Sequence, residues 1–189
     1  MDTVIQSASL CPIRTIINGL EVLLTRRAFW NFEKNRPMRY PGEWVFAGGS
    51  YETSDVNLAE TAVREFREEL KYEGSVNNIK FLRSGYQNSH GKRYFVEFYT
   101  ASMDLDSSFT LTKEGEVLAV QWFKPKDAIT LIRSEQFTCE QAESFKQKEL
   151  AHTKYGIYAV NERQFPVQNV QTLELIQSIP ELTRLYKNG

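Results

Sequence analysis

The sequence predicts an α+β fold built on a mixed β-sheet, and three observations carry that prediction. Strand-type segments recur as far as Phe123, one strong helical segment interrupts them, and beyond Pro125 the pattern turns helical. Residues 8–17 are rich in branched apolar side chains, Asn18-Gly19 gives a turn, and residues 21–27 are apolar again, which predicts a hairpin. Residues 28–42 are aromatic and basic, carry two prolines and show no period, so they predict a long loop rather than an element. Residues 43–47 (EWVFA) read as a short strand broken by Gly48-Gly49. Residues 57–72 hold neither Gly nor Pro and many good helix formers, which predicts a central helix capped by Asp55 or Asn57. Strands at 79–87, 93–102 and 117–123 follow, with a turn at 88–92 between the first two. Helices are predicted at 126–133, 139–150 and 172–186, the last interrupted by Pro180.

A chain of 189 residues fits one domain, residues 1–189, in which 125–189 form a helical C-terminal extension. At 41% hydrophobic and 25% charged it can bury a sizeable core and is not of the disordered class. Lysine and arginine total 23 against 24 for aspartate and glutamate, and a net charge of -1 gives no electrostatic reason to expect nucleic acid or a membrane surface as partner. Two cysteines, Cys11 and Cys139, without metal-type spacing suit a reducing compartment, and two histidines, His90 and His152, exclude a histidine-rich metal centre. No apolar run approaches the roughly 20 residues of a membrane helix, and Met1 to Gln6 lacks the pattern of a signal peptide. A cytoplasmic protein is expected, and a homodimer stays open.

On a helical wheel, Ala59, Ala62, Val63, Phe66 and Leu70 share one arc that suits packing on a sheet. Arg64, Arg67, Glu60 and Lys71 gather on the far side, where water is expected. Glu65, Glu68 and Glu69 crowd a third edge, and like charges at i,i+4 destabilise a helix, so something should compensate. Salt bridging from Arg64 to Glu60 and Glu68 is the plain explanation. A hard divalent cation is the sharper one, since Mg²⁺ prefers carboxylate oxygens and is completed by substrate phosphates. Gly48-Gly49 just ahead of the helix would let backbone approach a ligand with no side chain between them.

Taken whole, residues 48–70 (GGSYETSDVNLAETAVREFREEL) resemble the Nudix box, with Arg64-Glu65-Phe66-Arg67-Glu68-Glu69 matching every charged position and Phe66 replacing the aliphatic one. The spacing from Gly49 to Arg64 is one residue longer than usual, which displaces the first acidic position to Asp55 or Glu52. Lys71 stands where the late glycine of the box falls, with Gly74 nearby, and Ala47 replaces the proline common before the double glycine. The longer spacing, together with Leu23-Leu24-Thr25-Arg26-Arg27 and Gly42-Glu43-Trp44-Val45-Phe46, is similar to the Nudix branch that cleaves coenzyme A and acyl-coenzyme A, although the loop between those halves is longer here.

The resemblance implies a Nudix-like α/β/α sandwich and a Mg²⁺- or Mn²⁺-dependent diphosphohydrolase acting on a nucleoside diphosphate joined to another group. Mapped by position, Glu65, Glu68 and Glu69 would hold the metal with the carbonyl of Gly49, and Arg64 would steady a box carboxylate. Glu116, six residues before Trp122, is similar to a late acidic residue that serves the family as base or extra ligand; its plain reading is a turn glutamate. Substrate contacts are expected from Gly48, Gly49, Arg26, Arg27 and Arg39, with Arg36 and the aromatic residues Phe29, Trp30, Phe32 and Tyr40 of the same loop as further candidates. Coenzyme A is one substrate reading; ADP-ribose, a dinucleotide, a nucleotide sugar or capped RNA are others. A non-catalytic nucleotide sensor on the same fold is a third, which the intact glutamates disfavour.

Overall fold

The structure is a computed structural model that describes residues 3–17, 19–28, 30–31, 36–38, 40, 42–89, 91–103, 109–111, 115–134, 166–179 and 182. Its spine is β1 (Val4–Ile16), a strand long enough to serve two sets of partners. Along residues 4–12 it pairs in parallel with β8 (Lys92–Met103), and on the other edge residues 7–10 pair antiparallel with β6 (Ala47–Ser50). Its last residues, 13–16, turn to β2 (Gly19–Arg27) in the expected hairpin. β2 then carries β9 (Val117–Phe123) on one edge and the short β5 (Trp44–Val45) on the other, while β7 (Val76–Ser89) closes the far side of β8. The result is the mixed sheet that the sequence predicts.

Helices cover both faces. Helix α1 (Leu58–Leu70) lays Ala62, Phe66 and Leu70 against Ala8, Leu10, Leu23, Ala47 and Ala101 on one side of the sheet. On the other side α2 (Pro125–Arg133) and α3 (Val167–Ser178) bury Ala128, Ile132, Val170, Leu173 and Ile176 against Val22, Leu24, Phe46, Val96 and Phe98. Side chains alternate across a strand, so Leu23 serves the first core while its neighbours Val22 and Leu24 serve the second. This is an α/β/α sandwich. Among the described residues no helix is long and apolar enough to cross a membrane.

Four expectations change. Gly48 and Gly49 do not break a strand; they lie inside β6, opposite Ser9 and Ala8, because a side chain at Gly48 would run into the backbone of Ala8 and Ser9. The loop at 28–42 is not free of elements, since β3 (Trp30–Asn31) and β4 (Arg36–Pro37) form a small ladder within it. β7 starts earlier than expected, and register shifts near Asn77–Lys80 and Phe81–Arg83 break its alternation. Helix α3 also starts earlier, at Val167, because its polar first turn has tertiary partners: the Asn169 Oδ1 accepts the Phe46 N–H at 2.7 Å, and the Gln168 Nε2 donates to the Tyr86 carbonyl at 3.0 Å. The helix expected at 139–150, Pro180, Cys139, His90 and His152 lie outside the described residues.

Candidate active site

The site is organised from the entrance of α1. Asn57 is the N-cap: its Oδ1 accepts the Glu60 N–H at 3.0 Å, and the Glu60 carboxylate returns to accept the Val56 N–H at 2.6 Å. Glu60 is thereby committed to the helix end and is not the Arg64 partner that its spacing suggests. At the other end Lys71 takes a left-handed conformation (φ 49°) and its N–H caps the Arg67 carbonyl. That is the backbone geometry glycine adopts most readily, which explains why the resembling pattern places a glycine there and what the lysine must tolerate.

Asp55, the other candidate cap, has a different task. Its carboxylate is buried and accepts from the Glu52 N–H at 3.0 Å, the Thr61 hydroxyl at 2.8 Å, and Arg64 through Nε at 2.8 Å and Nη2 at 3.0 Å. The two-pronged bond with Arg64, with the Glu52 amide and the Thr61 hydroxyl added, holds Asp55 well below the usual carboxylate range and raises Arg64 further. Arg64 also donates to the Ser50 carbonyl at 2.9 Å, to Glu65 at 3.1 Å and to Glu68 at 3.0 Å. Far from being a solvated surface charge, it stitches the 50–57 segment to the glutamate edge of the helix. Of the two candidates for the displaced acidic position, Asp55 makes the close bonds to Arg64, whereas Glu52 lies at 3.8 Å from it.

The three helix glutamates have unequal surroundings. Glu68 is exposed. Glu65 sits against Gly49 so closely that a methyl group there would lie 2.3 Å from its carboxyl carbon. Burial raises the Glu65 pKa, and Arg64 opposes that rise. Glu69 is not on a solvent-facing edge: its side chain is 6% exposed, and burial, with Arg27 opposing and Glu116 and Glu65 adding repulsion, pushes its pKa up to about 7. Its Oε1 accepts from Arg27 Nη1 at 3.4 Å, while its Oε2 is buried without a hydrogen-bond partner.

Arg27 reaches in from the end of β2 and also donates from Nη2 to Glu116 at 3.3 Å. Glu116 is thus no plain turn residue. Its other oxygen accepts from Asn31 Nδ2, and its carbonyl accepts the Ala28 N–H at 2.8 Å. Asn31, buried on β3, belongs to this cluster, and nothing in its sequence context marks it. Thr61 and Ser50 were equally silent. Arg26, next to Arg27, points to the opposite face of β2, where its Nε donates to the Gly42 carbonyl at 3.4 Å and Glu43 is the nearby opposing charge. The structure therefore separates two of the expected substrate arginines, and the third, Arg39, lies outside the described residues, as do Phe29 and Phe32.

Among the described residues six carboxylates (Glu52, Asp55, Glu65, Glu68, Glu69 and Glu116) share two guanidinium groups, those of Arg27 and Arg64. Among the described residues no three acidic or histidine side chains already converge as a closed cage. The surplus of acid, the orphaned oxygen of Glu69 and the bare backbone of Gly49 beside Glu65 nevertheless suit a hard divalent cation.

Residues 13–145 match the NUDIX domain model, and the chain belongs to the Nudix family. It is a Nudix diphosphohydrolase of nucleoside diphosphate derivatives, a class that generally works with divalent metal ions. Its fold is similar to that of a NUDIX hydrolase from Alicyclobacillus acidocaldarius (TM-score 0.58, 20% identity, covering 72% of this chain and 86% of that one). It is also similar to the NUDIX domain of Shewanella oneidensis NrtR in complex with ADP ribose (0.54, 19%, 79% and 90%) and to a C. elegans Ap4A hydrolase in a binary complex (0.53, 18%, 70% and 89%). No curated protein matches the chain.

Proposed function

We propose that the chain hydrolyses the diphosphate linkage of coenzyme A or an acyl-coenzyme A, using Mg²⁺ or Mn²⁺ held by Glu65, Glu68 and Glu69 with the Gly49 carbonyl. The observation that supports the site is the Gly49–Glu65 contact, in which the helix carboxylate rests on a stretch of backbone with no side chain to exclude a ligand. The ion, when bound, neutralises charge developing on the phosphate oxygens and activates water. Arg64, anchored on Asp55, fixes the direction in which Glu65 and Glu68 present their oxygens. Glu116 faces the same cluster and is suited to hold a proton or add an oxygen ligand. Residues 125–189 are taken as an extension of this one domain, since α2 and α3 close its second core.

The coenzyme A reading rests on Leu23 to Arg27 and on the longer path from Gly49 to Arg64, in which Asp55 takes the acidic position. A second reading, ADP-ribose or a dinucleotide polyphosphate, draws on the ADP-ribose complex and the Ap4A hydrolase among the similar folds. Incubation of the chain with coenzyme A, ADP-ribose and Ap4A under Mg²⁺ or Mn²⁺, read by product mass, separates the two. Cleavage of coenzyme A to a 4′-phosphopantetheine-bearing product and a 3′,5′-bisphosphate nucleoside is the expected result, and cleavage of the others alone overturns it.

A further inference from the structure

Arg27 is poorly satisfied for a buried arginine. Its contacts to Glu69 and Glu116 are both long, at 3.4 and 3.3 Å, it forks between carboxylates from two different elements, and its Nε is buried with no hydrogen-bond partner. By contrast, Arg64 makes its bonds to Asp55 at 2.8 and 3.0 Å. A guanidinium locked for structural reasons would be expected to have all three nitrogens donating at short range, as Arg64 does at 2.8 to 3.1 Å. Arg27 instead spans a gap between two acids, and one of those acids still has an oxygen without a partner.

We infer that Arg27 is the resident counter-ion of this cluster, competing with the divalent cation for Glu69 and Glu116 and becoming available to substrate phosphate when the cation is bound. The inference rests on the metal reading above and adds a role for this residue within it. The charge count supports it: Glu65, Glu69 and Glu116 repel one another, and Arg27 is the cation placed between the last two. A divalent ion supplies more charge to the same oxygens, so the guanidinium loses its hold when the ion arrives, and a phosphate is the natural acceptor for its fork of donors. Binding of metal and of substrate would then favour each other by linkage through one side chain.

The test is Mn²⁺ binding to the full chain without substrate, followed by electron paramagnetic resonance of the free ion. Arg27→Gln should bind Mn²⁺ about tenfold more tightly than wild type, because a competing unit charge is gone. Arg27→Lys, which keeps the charge, should stay within about threefold of wild type. In the hydrolysis assay the Gln variant should show its loss mainly in KM. Melting curves without metal confirm that both variants fold. Equal or weaker Mn²⁺ binding by Arg27→Gln overturns the inference while leaving the metal site standing. If Glu69→Gln also leaves Mn²⁺ affinity unchanged, the metal reading itself falls, and this inference with it.

Discussion

The two faces of the sheet use neighbouring residues for opposite ends. On β2, Arg27 enters the acidic cluster beneath α1, while Arg26, one residue earlier, turns to the other face and meets Glu43 and the Gly42 carbonyl. On β6, a side chain at Gly49 would strike Glu65, whereas one at Gly48 would strike the backbone of Ala8 and Ser9. The face toward α2 and α3 is filled by apolar packing, and the face toward α1 combines a small apolar core with charge in excess of its partners. Adjacent positions in a motif therefore cannot be given one role: strand alternation sends them to different chemistry.

The largest effect is expected at the glutamates. Glu68→Gln and Glu69→Gln should each lower turnover by more than about a hundredfold, measured at saturating Mg²⁺. Stability should separate them. The folded-state pKa of Glu69 is raised from 4.5 to about 7, so its stabilising contribution is complete below the unfolded value and is lost as pH rises through about 7. Gln cannot ionise and escapes that loss. The metal-free Glu69→Gln chain should thus melt several degrees above wild type at pH 8, corresponding to about 3 kcal/mol at most, and converge with it near pH 4.5. Glu68→Gln, at an exposed position, should melt close to wild type. A wild-type melting profile for Glu69→Gln at pH 8 would contradict the burial of Glu69.

The glycine pair sharpens the contrast between faces. Gly49→Ala forces the Glu65 carboxylate away, since it leaves only 2.3 Å to the new methyl, and should reduce turnover by about 10²-fold with a modest change in melting. Gly48→Ala meets the Ala8 carbonyl at the same 2.3 Å, but backbone cannot step aside, so the loss should appear as roughly 1–3 kcal/mol of stability. Thermal melts and turnover measured on both variants decide it, and a pair that behaves alike would remove the distinction. Asp55→Asn is expected to fall between them, costing about 10- to 100-fold in turnover, because it weakens the anchor of Arg64 without touching the glutamates.

Much of this was legible in the chain. Ala62, Phe66 and Leu70 announced the buried stripe of α1, and the apolar runs on either side of Gly19 announced the β1–β2 hairpin. What was not legible depends on contacts distant in sequence. Glu69 reads as the equal of Glu65 and Glu68 until Arg27 closes over it, and Arg64 reads as solvated until Asp55 and the Ser50 carbonyl claim it. Asn31 carries no periodic or motif signal, since its side chain donates to Glu116, a residue 85 positions later. The start of α3 is hidden in the sequence for a related reason: Gln168 and Asn169 blur the apolar pattern because they are committed to β7 and to Phe46.

The smallest effect on catalysis is expected at Arg26, and it tests the comparison most directly because sequence treats it and Arg27 as equals. Arg26 is partly desolvated, which lowers its pKa, while Glu43 opposes the shift; that pair belongs to the face where no carboxylate of the site is found. Arg26→Gln should therefore leave kcat/KM within about threefold of wild type on every nucleotide substrate, and its cost should be a fall in Tm of several degrees, since Glu43, 2% exposed, loses the opposing charge. Arg27→Ala should behave differently. If coenzyme A is the substrate and Arg27 meets its 3′-phosphate, the variant should lose about tenfold more on coenzyme A than on 3′-dephospho-coenzyme A, the size of one charge-assisted bond at roughly 1.5 to 3 kcal/mol. Parallel losses for the two arginines on both substrates would mean that the sheet does not divide their roles, whereas a selective loss for Arg27 alone would tie the coenzyme A reading to the α1 face.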